Sequence, residues 1–218
     1  MHIIEQHTDI GPFVIDIDLR SKPDDKRMYN FEFIKSIVHS YTNQIIKYFD
    51  LEENKQLIQA FVFERPKPYL VKNVLKDGIH IMYPFIVSEP AIQEIIRENV
   101  IKENEEMYNK FGYENNIYNA IDKAVISNVG WYMYGSTKPG VERYKITYIF
   151  DYECNLIPLS TYEEQILPQL LSIRNKNETT QLKNQYLEEV SNYNLKTQQR
   201  YSKRKKENSI LTEEDIEE

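Results

Sequence analysis

The chain has 218 residues, 41% of them hydrophobic and 12% aromatic, which is enough apolar material for a core and excludes wholesale disorder. Lys and Arg total 27 against 34 Asp and Glu, a formal net charge of -7. That balance excludes a protein that coats nucleic acid by charge alone, and leaves room for a local basic groove on an acidic body. One cysteine, Cys154, excludes a disulfide framework and a Cys-rich zinc module. Four histidines, His2, His7, His39 and His80, leave little for a His-based metal cage. No apolar run nears the ~18 residues of a membrane span and no N-terminal apolar segment suggests secretion, so the expectation is an intracellular protein with no membrane partner.

In chain order, residues 12–19 alternate with the period of a strand, Phe13, Ile15, Ile17 and Leu19 sharing one face. A polar stretch over 20–28 reads as a loop. From Asn30 the positions Ile34, Ile37, Val38, Tyr41, Ile45 and Tyr48 follow helical spacing and predict a helix of about five turns. Residues 56–63 predict a second strand, ending at the charged pair Glu64 and Arg65, and 78–86 a third. Ser88 is placed to cap a following helix, with Pro90 in its first turn. A loop at 112–116 and a short helical piece at 117–126 come next. Trp131 to Gly135 and 143–152 then read as a hairpin-like strand pair around a Gly/Pro turn. Ser160 and Glu163 fit a capping box before a helical pattern that includes Leu182, Tyr186, Val190 and Tyr193. Strands interleaved with helices predict an α/β or α+β protein. The expected organisation is a catalytic domain over 1–160, a helical segment over 161–195 and a charged linker or tail over 196–218.

Three constellations could carry chemistry. Asp16 and Asp18 stand at i and i+2 of the first strand, so they share a face with Cα atoms roughly 6.6 Å apart. Carboxylates about 5 Å apart repel by roughly 3 kcal/mol at an effective dielectric near 20, and a divalent cation between them relieves this. Mg²⁺ or Mn²⁺ suits such donors. A strand with one wet face would look the same, and glycosyltransferases and nucleases also carry DxD pairs. The second constellation is Lys76, Gly78 and His80, alternating on one side of an extended chain. The gap at Gly78 lets an anion such as triphosphate approach the backbone, although a structural histidine after a tight turn fits the pattern as well. The third is Asp122 followed by Gly130–Gly140. Only 6 glycines occur in the chain, and Gly78, Gly130, Gly135 and Gly140 all fall in these motifs.

In this order the motifs resemble the archaeo-eukaryotic primase superfamily. They are Asp16-Ile17-Asp18, Gly78-Ile79-His80 and Ile121-Asp122, with a downstream Gly135-Ser136-Thr137-Lys138-Pro139-Gly140. The most similar pattern is that of the N-terminal primase-polymerase domain of primase-helicases from nucleocytoplasmic large DNA viruses. The resemblance spans roughly 12–152. It implies an α+β fold, with an α/β unit packed on an RRM-like sheet and the site in the cleft between them. It implies a template-directed nucleotidyltransferase, a DNA primase or polymerase, with two Mg²⁺ or Mn²⁺ ions held by Asp16, Asp18 and Asp122. His80, Lys76 and Lys138 would hold the triphosphate, and Ser136 would add a hydroxyl. Gly78 stands where many relatives carry Ser, which implies that one side-chain phosphate contact is either missing or supplied by a backbone N–H. The zinc element of many relatives is not expected, since one cysteine cannot build it. Implied partners are single-stranded DNA template, primer, nucleoside triphosphates and a helicase domain or subunit, at intracellular sites of viral DNA replication in host cytoplasm or nucleus. The competing readings are another divalent-metal DxD enzyme, and a non-catalytic nucleic-acid-binding module. The basic run 196–206 and acidic run 207–218 are expected to lie outside the site.

Overall fold

The strand that begins the predicted pattern is longer than its motif. In the computed structural model, which describes residues 3–23, 26–136, 140–174, 176, 178–197 and 199, it is β2, Gly11–Ser21. β1 is the short Ile4–Glu5 before it. Helix α1, Phe31–Tyr48, starts where Asn30 accepts the Phe33 N–H in its side chain. A 3₁₀ turn at Lys55–Leu57 takes the start of the second expected strand, so β3 is confined to Ala60–Glu64. β4 is Tyr69–Val71, and β5, Val74–Ser88, extends past the predicted span at both ends. Helix α2, Pro90–Asn109, has Glu89 and not Ser88 at its N-cap position, with no side-chain cap; Ser88 is the last residue of β5, and Pro90 occupies the first turn. After α3, Ile117–Ala120, and a 3₁₀ turn at Ala124–Ile126 come β6, Trp131–Tyr132, and β7, Lys145–Phe150.

The main sheet is antiparallel in the order β2-β5-β3-β7, with β4 paired to β5. Phe13, Ile15, Ile17 and Leu19 are at most 3% exposed on the helix-covered face. Phe13 meets Phe49 edge-on at the end of α1, and Tyr83, opposite Phe13 in β5, hydrogen-bonds Thr42 and the Val38 carbonyl of α1. Between the helices, buried Asn104 donates to Ser40 at 2.8 Å, so the seam is polar but satisfied. The other face has its own apolar cluster. Val14, Phe61, Met82 and Ile149 pack there with Trp131, Leu167, Leu171 and Ile173. These elements make an α+β protein.

The expected hairpin of 131–135 with 143–152 does not form. β6 pairs with β1, Ile4 opposite Tyr132, and β7 pairs with β3, Ala60 opposite Phe150. The five-residue free edge of β3 satisfies β7, which a two-residue strand could not. Gly130 permits the β1 contact, because a Cβ there would lie 2.3 Å from the Ile4 methyl. Ser160 opens no long helix; 3₁₀ turns at Leu159–Thr161 and Glu164–Ile166 lead into the short α4, Leu167–Leu170.

Packing divides the chain into Met1–Gln181 and Leu182–Glu218. The expected 161–195 segment is therefore shared between the two units. In the second, a 3₁₀ turn at Asn184–Tyr186 runs into a helix over 187–197, which carries Val190 and Tyr193. Most of the basic run and all of the acidic run lie outside the described residues. No helix among the described residues is long and apolar enough to cross a membrane.

Candidate active site

Strand alternation puts Asp16 and Asp18 on the face opposite the helices. Pairing sets Asp16 across from His80 and Asp18 across from Gly78 on β5, so two motifs far apart in sequence meet in adjacent strands. His80 Nε2 is 3.4 Å from Asp16 Oδ1, and Lys76 Nζ is 3.3 Å from Asp18 Oδ2. Asp18 thus has the Lys76 cation beside it, and Asp16 has the edge of the His80 ring.

Asp122 reaches the same place through the backbone. Its N–H donates to the Asp16 carbonyl at 2.9 Å, and Ile121 bridges Ile17. Its Oδ1 accepts the Ala124 N–H at 2.8 Å. Arg97 of α2, 6% exposed, holds this segment, with Nε donating to the Ile121 carbonyl at 2.8 Å and Nη2 to the Tyr118 carbonyl at 2.6 Å. Asn115 does the same work further along β2. Its amide donates to the Asp18 carbonyl at 2.7 Å and its Oδ1 accepts the Arg20 N–H at 3.0 Å, replacing a missing neighbour strand.

Asp16, Asp18, Asp122, His80 and Ser136 line one cavity of about 550 Å³ between this sheet face and the β1/β6 ribbon. Ser136 Oγ accepts the Ile3 N–H at 3.1 Å, anchoring the chain ahead of β1. Lys76 is engaged with Asp18, and Lys138 lies outside the described residues.

The gap at Gly78 is not open. The Tyr144 hydroxyl fills it, lying 2.3 Å from where a Cβ would stand, with Asp18 Oδ1 at 3.7 Å from the same point. The Tyr144 ring stacks on His80 at 3.7 Å, 25° from parallel. Burial, reinforced by the nearby Asp16 carboxylate, pushes the Tyr144 phenol well above its ordinary pKa, so it stays neutral. The Arg65 guanidinium lies over that ring too, 4.4 Å from its centroid, and also borders the cavity. Tyr144, Arg65, Arg97 and Asn115 carry no motif. Their roles follow from strand register and loop placement, and the only sequence signal was the charged pair at the end of β3.

Three aspartates on one cavity wall are hard oxygen donors of the kind that suits Mg²⁺ or Mn²⁺. Among the described residues no three carboxylates or imidazoles converge at ligating distance, Asp16 and Asp18 being turned to His80 and Lys76. The donor set fits a divalent cation by its chemistry, and holding one requires these side chains to rotate.

Residues 1–150 match the family described as the C962R protein N-terminal AEP domain, and the chain belongs to this archaeo-eukaryotic primase family. "Putative helicase L207/L206" of Acanthamoeba polyphaga mimivirus is 35% identical over 140 residues, which cover 63% of this chain and 14% of that protein. "Putative helicase 121R" of Invertebrate iridescent virus 3 is 26% identical over 210 residues, 78% of this chain and 22% of that protein. The chain spans less than a quarter of either relative.

Proposed function

We propose that this chain is a template-directed nucleotidyltransferase, a DNA primase-polymerase that joins nucleotides onto a growing 3′ end. The observation that carries the reading is the gathering of Asp16, Asp18, Asp122 and His80 around one cavity, in a chain of the primase family. Asp16, Asp18 and Asp122 would hold two Mg²⁺ or Mn²⁺ ions, which when bound supply activation of the attacking hydroxyl and neutralise charge on the leaving pyrophosphate. The protein's own part is positioning. His80 turns its Nε2 edge to Asp16 and its face to Tyr144, and once Asp16 turns to a metal ion that edge would be free to donate to a phosphate oxygen. Lys76 beside Asp18 and Lys138 in the 135–140 stretch add cations for the triphosphate. Ser136 borders the same space with its hydroxyl, and Gly78 contributes backbone only. Template and primer would be single-stranded DNA and its paired 3′ end. The helicase names of the relatives suggest that a helicase domain or subunit works with it.

Primer-extension and de novo synthesis assays with dNTPs or NTPs, in Mg²⁺ and in Mn²⁺, test this. Template-directed incorporation in at least one combination is expected. No incorporation in any of them, by a chain that still binds DNA, would refute it in favour of a non-catalytic binding module.

A further inference from the structure

Arg65 has no part in any motif, yet it is the most unusual cation at the site. It is 8% exposed and follows the last residue of β3. Alternation carried one residue past that strand places it on the same side as Phe63, which pairs with His80. Its guanidinium lies between two rings, 4.6 Å from the Tyr69 centroid and 4.4 Å from that of Tyr144. His80 also stacks on Tyr144, so Tyr69, Arg65, Tyr144 and His80 are in successive contact. The Arg65 carbonyl accepts from Arg27 Nη2 at 2.6 Å, which fixes the backbone beneath.

The two rings meet its charge and Tyr69 adds a side-chain hydrogen bond, which leaves the Nε–H to be satisfied. Arg65 Nε is buried and has no hydrogen-bond partner among the described residues. A buried cationic donor left unpaired is costly, and at the wall of an open cavity a ligand acceptor would complete it. The ligand must be anionic, planar-matched or tetrahedral, and small enough for a cavity that Arg65 shares with Asp16, Asp18 and His80. Phosphate oxygens meet all three conditions, and a rigid guanidinium fork is the side chain best suited to them. Asp16 acts on this guanidinium electrostatically but does not hydrogen-bond its Nε, and Asp18 is paired with Lys76.

We infer that Arg65, clamped between Tyr69 and Tyr144, is a binding residue for a phosphate group of the nucleotide in this cavity. The inference rests on the nucleotidyltransferase reading and adds to it a residue outside its motifs. Tyr69 and Tyr144 are positioning residues for this guanidinium.

The test is calorimetric titration of the full chain with inorganic tripolyphosphate, with dATP and with deoxyadenosine, each in Mg²⁺, alongside single-stranded DNA. Arg65→Met keeps the apolar stem, and Arg65→Lys keeps the charge but loses the fork. Both should weaken tripolyphosphate and dATP by about ten-fold or more, as expected for loss of a charge-assisted hydrogen bond. Binding of deoxyadenosine and of DNA should hold steady. Tyr69→Leu loosens the guanidinium without removing it and should weaken dATP less; it carries the test if neither Arg65 variant folds. Folded variants that bind tripolyphosphate and dATP as tightly as wild type would overturn the role of Arg65 and leave the primase reading intact. A wild-type chain that binds neither compound would overturn both.

Discussion

The two faces of β2 differ although they belong to the same eleven residues. On one, Phe13, Ile15, Ile17 and Leu19 are buried along the whole strand by the helical layer. On the other, Val14 is the β2 residue in the apolar cluster, where Leu171 and Ile173 join Phe61 and Met82, and Asp16 and Asp18 line the cavity instead. The first face supplies stability through continuous apolar burial. The second gives up that burial, because a carboxylate must keep water, a hydrogen bond or a counter-charge. The site is the part of the sheet where the second apolar layer ends.

Removing the carboxylates is the largest perturbation of that contrast. Asp16→Ala and Asp18→Ala should each abolish nucleotide transfer in primer extension. Their effect on stability should stay within about 1 kcal/mol, since the Lys76 and His80 contacts are partly solvent-exposed. A folded double variant that still extends primers would remove the functional meaning of the polar face.

On the apolar face the signs reverse. Ile17 is 1% exposed, so Ile17→Ala should cost about 2–5 kcal/mol in urea unfolding. A loss below about 1 kcal/mol would mean that the helical layer collapses onto the gap and that the two faces are less different than they look.

A smaller effect probes the boundary between the faces. In Gly78→Ala the new methyl would meet the Tyr144 hydroxyl at 2.3 Å, while the next ring atom is 3.4 Å away. The ring must shift off His80, so the nucleotide KM should rise about ten-fold. Adding Tyr144→Phe removes the clashing oxygen and should restore part of it, with a coupling of about 1 kcal/mol in a double-mutant cycle. Strict additivity would show that Tyr144 and Gly78 are not in contact.

The smallest expected effect is a pH dependence outside the site. Burial lowers the pKa of His7 in the folded state below its ordinary 6.5, with backbone contacts at Val129 and Val125 opposing this. The unfolded chain therefore takes up more protons near pH 6, and stability falls as pH drops below about 6.5. Thermal melts between pH 7.5 and 5.5 should show this decline, and His7→Leu should reduce it. An unchanged slope in the variant would place the titrating group elsewhere.

Much of the site was legible because its signals are local. Asp16 and Asp18 share a face by the two-residue period of a strand, and Gly78 and His80 share one for the same reason. Asn30 marks the start of α1, and Pro90 the first turn of α2. Other signals were ambiguous. Ser88 and Ser160 look like helix caps in sequence, yet one ends a strand and the other lies in a 3₁₀ turn. A capping side chain works only where the following backbone is helical, and neighbouring elements decide that.

From the residues alone, this protein's alternating strands, its two long helices and the order of its acidic and histidine motifs were determined, because periodicity and spacing act over a few residues. Tertiary structure decided which edges paired, drawing β7 to β3 and β6 to β1 in place of a hairpin. It also decided that Tyr144 fills the gap at Gly78, and that Arg65 is held between two rings beside the aspartates. Those outcomes depend on register between segments many residues apart, where a shift of one position turns every side chain to the opposite face.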